Sequence, residues 1–273
     1  MPDDVYTHGH HDSVLRSHRW RTAENSAAYL LSHLAPGRRL LDVGCGPGTL
    51  TVDLAARVAP GDVVGVDVSA EVVDEARAHA RAEGRDGVTF LAGDFRTLGL
   101  DEGSFDVAHA HQVLQHLQDP VGALAHMARL VRPGGVVAVR DSDYSAFTWA
   151  PHDTGLDLWL RTYMEVTRRN GAEANAGRHL LAWAHAAGLD DVTYTTSTWT
   201  FATPGDRAWW SDLWAERSVA SAFAEQAVGY GVAGHDDLEE MAGAWRRWGA
   251  SPDAVLVVLH GELICRVPEA AGT

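Results

Sequence analysis

Short apolar runs alternate with helical stripes along the first half of the chain. The runs have the length of buried strands and lie at Leu40–Val43, Asp62–Asp67, Val88–Phe95, within 104–120, and at Val136–Val139. The helical stripes begin near Thr49, Ser69 and Asp119, where a glycine turn, a serine and an Asp-Pro pair suit helix N-termini. Strands that alternate with helices predict a mainly parallel sheet covered by helices on both faces.

The pattern changes after Asp143. Residues 152–170 and 173–187 repeat apolar positions at helical spacing, and 191–201 alternate threonine with aromatic residues as strands do. A helical insert from 204, a helix over 236–248 and a final apolar strand over 254–267 follow, with Gly261 as a candidate bulge. The second half therefore predicts two strands separated by helical segments.

The N-terminal 21 residues are polar and rich in histidine. A helix is predicted to begin after Thr22, a suitable N-cap, and to continue through apolar positions at helical spacing as far as Leu34. Pro36 and Gly37 end it and lead into the first strand. We expect a polar N-terminal segment followed by one amphipathic helix.

The first strand leads directly into a glycine turn. The sequence LLDVGCGPGTLTVDL places Gly44, Gly46 and Gly48 between a buried strand and a helix, which is a nucleotide-binding construction. Glycine allows the sharp turn and lets a ligand lie against the backbone. The N-terminus of the following helix offers free N–H groups to that ligand.

The spacing of this motif differs from the dinucleotide fingerprint GxGxxG. Asp42 stands two residues before Gly44, so the motif resembles (D/E)xGxGxG of the class I S-adenosylmethionine (SAM)-dependent methyltransferases. Further matches are Asp67, which follows Gly44 by 67 − 44 = 23 residues, Asp94, the segment SFDVAHAHQVLQHLQDP and the turn RPGG. The resemblance covers roughly residues 36–145 and is strongest to the ubiquinone/menaquinone-biosynthesis type. The chain also resembles actinobacterial small-molecule methyltransferases.

The resemblance implies an α/β, Rossmann-like, doubly wound sheet of seven strands, mainly parallel, whose last strand is antiparallel. It also implies helical lid inserts above the cofactor pocket. The expected divisions are an N-terminal lid segment (1–36), a SAM-binding core (37–143), a lid insert (144–172), core continuation (173–203), a second insert (204–250) and a final strand with tail (251–273).

The same resemblance implies the cofactor SAM, with S-adenosylhomocysteine as product, and a set of residues that bind it. Asp67 is expected to accept hydrogen bonds from the ribose hydroxyls, and Asp94 with Phe95 to bind the adenine. The full set of expected cofactor-binding residues is Asp42, Gly44, Cys45, Gly46, Gly48, Asp67, Val68, Gly93, Asp94, Phe95, Ala110 and His111.

Composition and charge limit the classes of molecule that the protein is expected to bind. The formal net charge of −15 disfavours nucleic acid, because an acidic surface repels polyphosphate. No apolar run approaches 18 residues and the N-terminus has no signal pattern, so we expect a cytoplasmic protein without a membrane span. The partner is then a small-molecule acceptor, and a homodimer is left open. Cys45 and Cys265 form no disulfide framework.

No sequence motif identifies the residues that would act on the acceptor, unlike those that would bind the cofactor. Tyr6, His11 and His111 are candidates for contact with the methionyl end of SAM or for accepting a proton. Aromatic residues of the inserts are candidates for binding a flat, apolar, aromatic acceptor: Trp149, Tyr163, Trp209, Trp210 and Trp214. Indole is one candidate, a role in natural-product biosynthesis is one setting, and the methylated atom is left open among carbon, oxygen and nitrogen.

Three other interpretations are weighed. The segment His8–His11 suggests a metal site, but no cysteine pair or HxxxH accompanies it, so no metal is predicted. An NAD(P)-dependent oxidoreductase would share the acid after the second strand but not the glycine spacing. A non-catalytic SAM-binding module would keep the pocket and lack the acceptor site. The expected activity is thus methyl transfer from SAM.

Overall fold

The computed structural model describes residues 4–9, 11–85 and 87–269. Within them one mixed sheet contains eight strands in the order β3-β2-β1-β4-β5-β8-β6, with β7 on the free edge of β8. The strands are β1 (Leu40–Val43), β2 (Val63–Asp67), β3 (Val88–Ala92), β4 (Phe105–His111), β5 (Val131–Ser142), β6 (Thr148–Ala150), β7 (Val192–Phe201) and β8 (Val255–Arg266).

The α-helices connect and cover these strands. They are α1 (Asp12–Arg19), α2 (Ala23–Ser26), α3 (Thr49–Val58), α4 (Ala70–Ala82), α5 (Pro120–Leu130), α6 (Thr154–Arg169), α7 (Ala176–Ala186), α8 (Pro204–Ala220), α9 (Ala222–Gly229) and α10 (His235–Ala250). Ser69 and Asp119 cap α4 and α5 through side-chain oxygens that accept backbone N–H bonds, as their residue types predict. Short 3-10 turns complete the element list at Ala28–His33, Leu114–His116 and Tyr144–Ala146.

The topology confirms the predicted Rossmann-like sheet. Strands β1 to β5 pair in parallel, and β8 lies antiparallel between β5 and β7. The predicted count of seven strands is low by one among the described residues, because the three-residue β6 also pairs with β8. The extra strand exists because β8 runs past the end of β5, where it still offers unpaired backbone groups.

Two local predictions are wrong. The helix predicted from Thr22 to Leu34 is only one α-helical turn, Ala23–Ser26, followed by a 3-10 helix. The preceding polar segment instead forms α1, whose buried face packs against α8. Gly261 keeps regular register with both β5 and β7, so it is no bulge. Its missing side chain lets the backbone of Gly177 in α7 approach the sheet closely.

The helical part of the second half packs on an extension of the sheet. Because β8 is antiparallel to β5, its first residues reach beyond the carboxyl end of β5 at Ser142. Leu256 and Val258 of this extension, with Trp199 and Phe201 of β7, enter an apolar core shared with α6, α8, α9 and α10. An aromatic helical layer thus stands at the edge where the parallel strands end. No helix in the described part of the chain is long and apolar enough to cross a membrane.

Candidate active site

A cavity of about 630 Å³ opens at the carboxyl ends of the parallel strands. Its walls come from the turns after β1, β2, β3 and β4 and from the N-terminal segment. This is the position at which open α/β sheets bind ligands, and the volume falls in the usual range for small-molecule sites. Nine of the residues predicted to act on cofactor or acceptor line it: Tyr6, Gly44, Gly46, Asp67, Val68, Gly93, Asp94, Phe95 and His111.

The glycine turn forms one wall because its backbone takes conformations that side chains disfavour. Gly44 and Gly46 have φ of +69° and +55°. A Cβ on Gly44 would also collide with the side chain of Val113, whereas a Cβ on Gly46 would lie 3.5 Å from Nδ1 of His18. The turn is therefore packed against the loop after β4 on one side and faces α1 on the other.

Asp67 stands at the end of β2 and faces the cavity. One carboxylate oxygen accepts from the backbone N–H of Gly46 and the other from that of Ser69, both at 3.0 Å. An ionised carboxylate has about four acceptor positions, so two bonds leave room for two more donors. Vicinal hydroxyls of a ribose supply donors of this kind.

Val68, Asp94 and Phe95 also line the cavity. Val68 is 71% exposed, an unusual state for an apolar side chain that lines a cavity, and a flat ring placed there would cover it. The Asp94 carboxylate already accepts from Nε and Nη2 of Arg96, at 2.8–3.0 Å. Burial opposes ionisation of Asp94, but the bonds to Arg96 outweigh it and hold its pKa below the usual value.

Four residues expected to bind the cofactor lie outside the cavity lining. Asp42 is buried and accepts from Thr51 Oγ1 at 2.5 Å and from His109 Nδ1 at 2.7 Å, so it fixes the strand to the helix and to β4. Gly48 begins α3 where a Cβ would collide with Ala76, so it permits close packing of α3 on α4. Cys45 and Ala110 are buried core residues, and burial raises the pKa of the Cys45 thiol well above its usual value.

Of the three residues expected at the methionyl end or as proton acceptors, the fold brings two to the cavity and leaves the third outside it. Tyr6 lines the cavity, and its hydroxyl lies 3.4 Å from Nε2 of His18. Burial raises the pKa of this phenol well above 10, so it stays protonated at neutral pH. His111 also lines the cavity, and neither of its ring nitrogens has a hydrogen-bond partner among the described residues. His11 instead forms the N-cap of α1, outside the cavity lining.

A second, smaller chamber adjoins the large cavity. Its volume is about 30 Å³, roughly that of one water molecule. Five residues line both spaces and form the junction between them: Tyr6, His18, Arg21, Gln112 and His116. The rest of its wall is mostly aromatic and includes Tyr144, Phe147, Trp199, Trp210 and Trp214. We call this space the aromatic chamber.

The predicted acceptor-binding residues divide between the chamber and its surroundings. Trp210 and Trp214 line it. Tyr163 lies one layer behind, stacked on Tyr144 at 4.0 Å between ring centroids. Trp149 and Trp209 are half-buried residues outside the lining, where they pack against the apolar core around the chamber.

Several residues at these cavities were not singled out as site residues from the sequence. Gln112, directly after β4, has a φ of +55°, uncommon for a residue with a side chain, and such strain clusters at functional sites. Its Oε1 accepts from Nη2 of Arg21 at 2.6 Å, and its Nε2 donates to Ser142 Oγ at 2.8 Å. The sequence offered one indication that Gln112 belongs to the site, namely its position directly after a predicted strand of the parallel sheet, where such sheets bind ligands.

Buried histidines add polar groups that are neutral at pH 7. His8 lies with Nε2 2.9 Å from the Tyr163 hydroxyl and 3.3 Å from that of Tyr144. Burial, with nearby Arg217, holds the pKa of His8 well below 6.5, and burial lowers the pKa of His116 to about 3. His10 lies outside the described residues, and within the described chain no cluster of three or more His, Cys, Asp or Glu residues is arranged to hold a metal.

Comparisons with known proteins show the family to which the chain belongs. A sequence-family profile described as "Methyltransferase domain" matches residues 34–194. The chain is 32% identical over 273 residues to an uncharacterized methyltransferase of Schizosaccharomyces pombe, covering 97% of each chain. It is 34% identical over 129 residues to the demethylmenaquinone methyltransferase of Beutenbergia cavernae, covering 47% of this chain and 50% of that relative.

The fold is also shared with solved structures. One is a phosphoethanolamine N-methyltransferase of Haemonchus contortus in complex with phosphomonomethylethanolamine and S-adenosylhomocysteine. The two structures superpose with a TM-score of 0.57 at 17% sequence identity, and the alignment covers 89% of this chain and 52% of the Haemonchus contortus chain. At this identity the similarity concerns the fold alone.

Proposed function

Since the chain belongs to the class I SAM-dependent methyltransferases, we propose that it methylates a small, flat, largely apolar acceptor bound in the aromatic chamber. The observation that carries this proposal is the junction between the two spaces. Tyr6, His18, Arg21, Gln112 and His116 line both the large cavity and the chamber, so a cofactor in one would meet an acceptor in the other.

The large cavity suits SAM in size and in the chemistry of its lining. Asp67 retains acceptor positions for the ribose hydroxyls, and exposed Val68 would lie against the adenine with Asp94 and Phe95 beside it. Gly44 and Gly46 would bring backbone near the methionyl group. Arg21 would pair with its carboxylate, and the ring nitrogens of His111, which have no hydrogen-bond partner among the described residues, would accept from its amino group.

SAM supplies an activated methyl group on a sulfonium. The protein's part is to align the acceptor with the methyl and sulfur atoms and to exclude water. An acceptor nucleophile forms its bond to the methyl carbon while the carbon–sulfur bond breaks and leaves S-adenosylhomocysteine. Any proton that the acceptor then loses passes to water as the site reopens. The Tyr6 phenol stays protonated and burial lowers the pKa of His116 to about 3, so neither is an effective base at pH 7, and both serve to orient the acceptor.

A chamber of about 30 Å³ admits no aromatic acceptor until its wall moves. Tyr6 and His8, both in the N-terminal segment, belong to that wall. The segment from 4 to 9 contains no helix or strand and is held in place by contacts with other parts of the chain, including Asn170 Nδ2 to Thr7 Oγ1 at 2.9 Å, Gln226 Nε2 to the Tyr6 carbonyl at 3.3 Å and Arg96 Nη2 to Asp4 Oδ2 at 2.7 Å. We assign this segment as a lid that opens for the acceptor and closes before transfer.

The acceptor's aromatic character rests on the chamber's rings. Trp199, Trp210 and Trp214 offer flat apolar surface, which binds planar rings by area burial and stacking. A bicyclic ring such as indole belongs to this class, and natural-product biosynthesis supplies many such acceptors. Carbon, nitrogen or oxygen methylation would each suit the geometry described.

The test is an acceptor screen. Purified enzyme is incubated with methyl-labelled SAM and a metabolite extract of the source organism, and labelled products are identified by mass spectrometry with fragmentation. We expect a labelled small molecule with an aromatic ring. Label only in protein, nucleic acid or non-aromatic products would contradict the proposal, and no transfer at all would favour a non-catalytic SAM-binding protein.

A further inference from the structure

Arg217 places a guanidinium inside the protein, beside the aromatic chamber. It lies on α8, is 4% exposed and lines the chamber but not the large cavity. Its Nη2 donates to the Ser13 carbonyl at 2.8 Å and to Ser17 Oγ at 3.2 Å, and its guanidinium carbon lies 4.5 Å from the Trp214 ring centroid. Its Nε has no hydrogen-bond partner among the described residues.

No carboxylate of the described residues forms an ion pair with Arg217. Burial lowers the pKa of Arg217, and its strongest titratable neighbours are Tyr144, Tyr6, Tyr163 and Arg16. Burial holds the pKa of all three of these phenols above 10, so they remain neutral and provide no counter-charge at pH 7. A buried cation without an anion is unfavourable, which makes the site incomplete as it stands.

The chamber as a whole is cationic. Arg21 and Arg217 line it, and no Asp or Glu of the described chain does, although the protein carries a net charge of −15. Elsewhere the fold does supply a partner for a buried arginine: Arg140 Nε lies 3.2 Å from Glu262 Oε1. The fold can thus pair a buried arginine with an acid, but among the described residues it places none in the lining of the chamber.

We propose that the acceptor carries an oxyanion, a carboxylate or a phosphate, which pairs with Arg217 while its ring lies against Trp210 and Trp199. This inference rests on the proposed function, because it concerns the same acceptor. The carboxylate of SAM is a poor match for Arg217, which does not line the cofactor cavity, whereas Arg21 lines both spaces. Arg217 thus determines acceptor specificity, and the methyl is transferred to another atom of the acceptor.

The test divides the metabolite extract by charge before the enzyme acts on it. Anion exchange at pH 7 gives a retained, anionic fraction and an unretained fraction, and each is incubated with enzyme and methyl-labelled SAM. We expect labelled product only from the retained fraction. Product from the unretained fraction alone would overturn the oxyanion while leaving the aromatic acceptor standing. Transfer in neither fraction would contradict the proposed function and the inference with it.

Pretreatment with alkaline phosphatase separates the two sources of the oxyanion. If the acceptor is a phosphate monoester, the treated retained fraction should no longer give labelled product. If the acceptor is a carboxylate, labelled product should still form. Either result supports an anionic acceptor.

Arg217→Gln then tests the pairing, with Arg207→Gln as a matched control on the same helix. Arg207 is also buried, but it donates to the Ala202 carbonyl and lies outside the chamber. We expect R217Q to lower kcat/KM for the anionic acceptor by about tenfold or more, mainly through KM, without changing SAM affinity. R207Q should leave kcat/KM near wild type.

Arg217→Lys distinguishes a lost charge from lost packing. It keeps a cation but not the planar fork, and partial recovery of KM relative to R217Q is expected. Equal KM values in wild type and R217Q would overturn the assignment. If R217Q does not fold, R217K and the charge fractionation of the extract still decide the question.

Discussion

The backbone N–H of Gly46 donates to the carboxylate of Asp67 at 3.0 Å. This bond joins the glycine turn after β1 to the end of β2, two segments that come together only because their strands are neighbours in the sheet. The backbone proposed to approach the methionyl end of the ligand and the acid proposed to bind its ribose are thereby held in one rigid unit. The first two predictions test that unit.

Asp67→Ala should weaken SAM binding at least tenfold. Charge-assisted hydrogen bonds to two hydroxyls contribute about 1.5–3 kcal/mol each, and a tenfold change in affinity corresponds to about 1.4 kcal/mol. Isothermal titration calorimetry measures the affinity directly. Asp62→Ala is the matched control, because Asp62 precedes the same strand at its far end and is 76% exposed. An unchanged SAM affinity in a folded D67A protein would remove Asp67 from the ribose site.

Gly46→Val should abolish SAM binding. Its φ of +55° is strained for a β-branched residue, and the turn lies against the cavity. Gly84→Val is the control, because Gly84 has a similar φ of +64° with no atom near its missing Cβ and lies outside the cavity. Both variants should lose some thermal stability, but only G46V should lose SAM binding. If G46V still binds SAM, the ligand occupies another surface.

Removing residues 1–9 should leave a cooperatively folded protein with severely reduced turnover. The truncation retains His11 and α1 but removes Tyr6 and His8 from the chamber wall. A lid that no longer closes would admit water and misplace the acceptor, which costs on the order of a hundredfold in rate when reacting groups shift by about 1 Å. Circular dichroism melting and product formation measure the two effects. Wild-type turnover would show that the segment is not a lid.

Trp210→Ala should raise the KM for the acceptor while SAM affinity stays near wild type. Trp210 lines the chamber and not the cofactor cavity, and loss of its ring removes stacking of about 0.5–1.5 kcal/mol as well as buried area. The neighbouring Trp209→Ala is the control, because that ring packs on Trp20 and Phe201 outside the chamber. Weakened SAM binding with a normal acceptor KM in W210A would reverse the proposed division between the two spaces.

The protein should lose stability as the pH falls from 7 to 5, and His116→Gln should lessen that loss. Burial depresses the pKa of His116 to about 3 in the folded state. In the unfolded chain this histidine takes up a proton near pH 6.5, whereas in the folded protein it stays neutral. The free energy of unfolding therefore decreases as the pH falls below 6.5. One such histidine accounts for about 1–2 kcal/mol over this range. Urea unfolding at both pH values gives the difference, and an equal loss in H116Q would show that His116 makes no contribution.

Local sequence was enough to predict the cofactor half of the molecule. Leu40–Val43, the glycine turn and Asp67 lie close together in the chain, and their geometry follows from strand length, glycine conformations and strand pairing. The spacing of these residues therefore predicted both the sheet and the family. Asp42 shows the limit of such reasoning, since the motif marks it but the fold bonds it to Thr51 and His109.

The sequence by itself determined the Rossmann-like core, the glycine turn and the residues that follow its strands, because these depend on contacts between near neighbours and on periodicity. Only the tertiary structure decided what forms the acceptor side. Arg217 shares one face of α8 with Trp210 and Trp214, but its burial depends on α1, 200 residues earlier in the chain, where the Ser13 carbonyl and the Ser17 hydroxyl accept its hydrogen bonds. A contact between residues so far apart in the chain produces no local sequence pattern. Each partner by itself has the pattern of an ordinary polar residue on a surface helix.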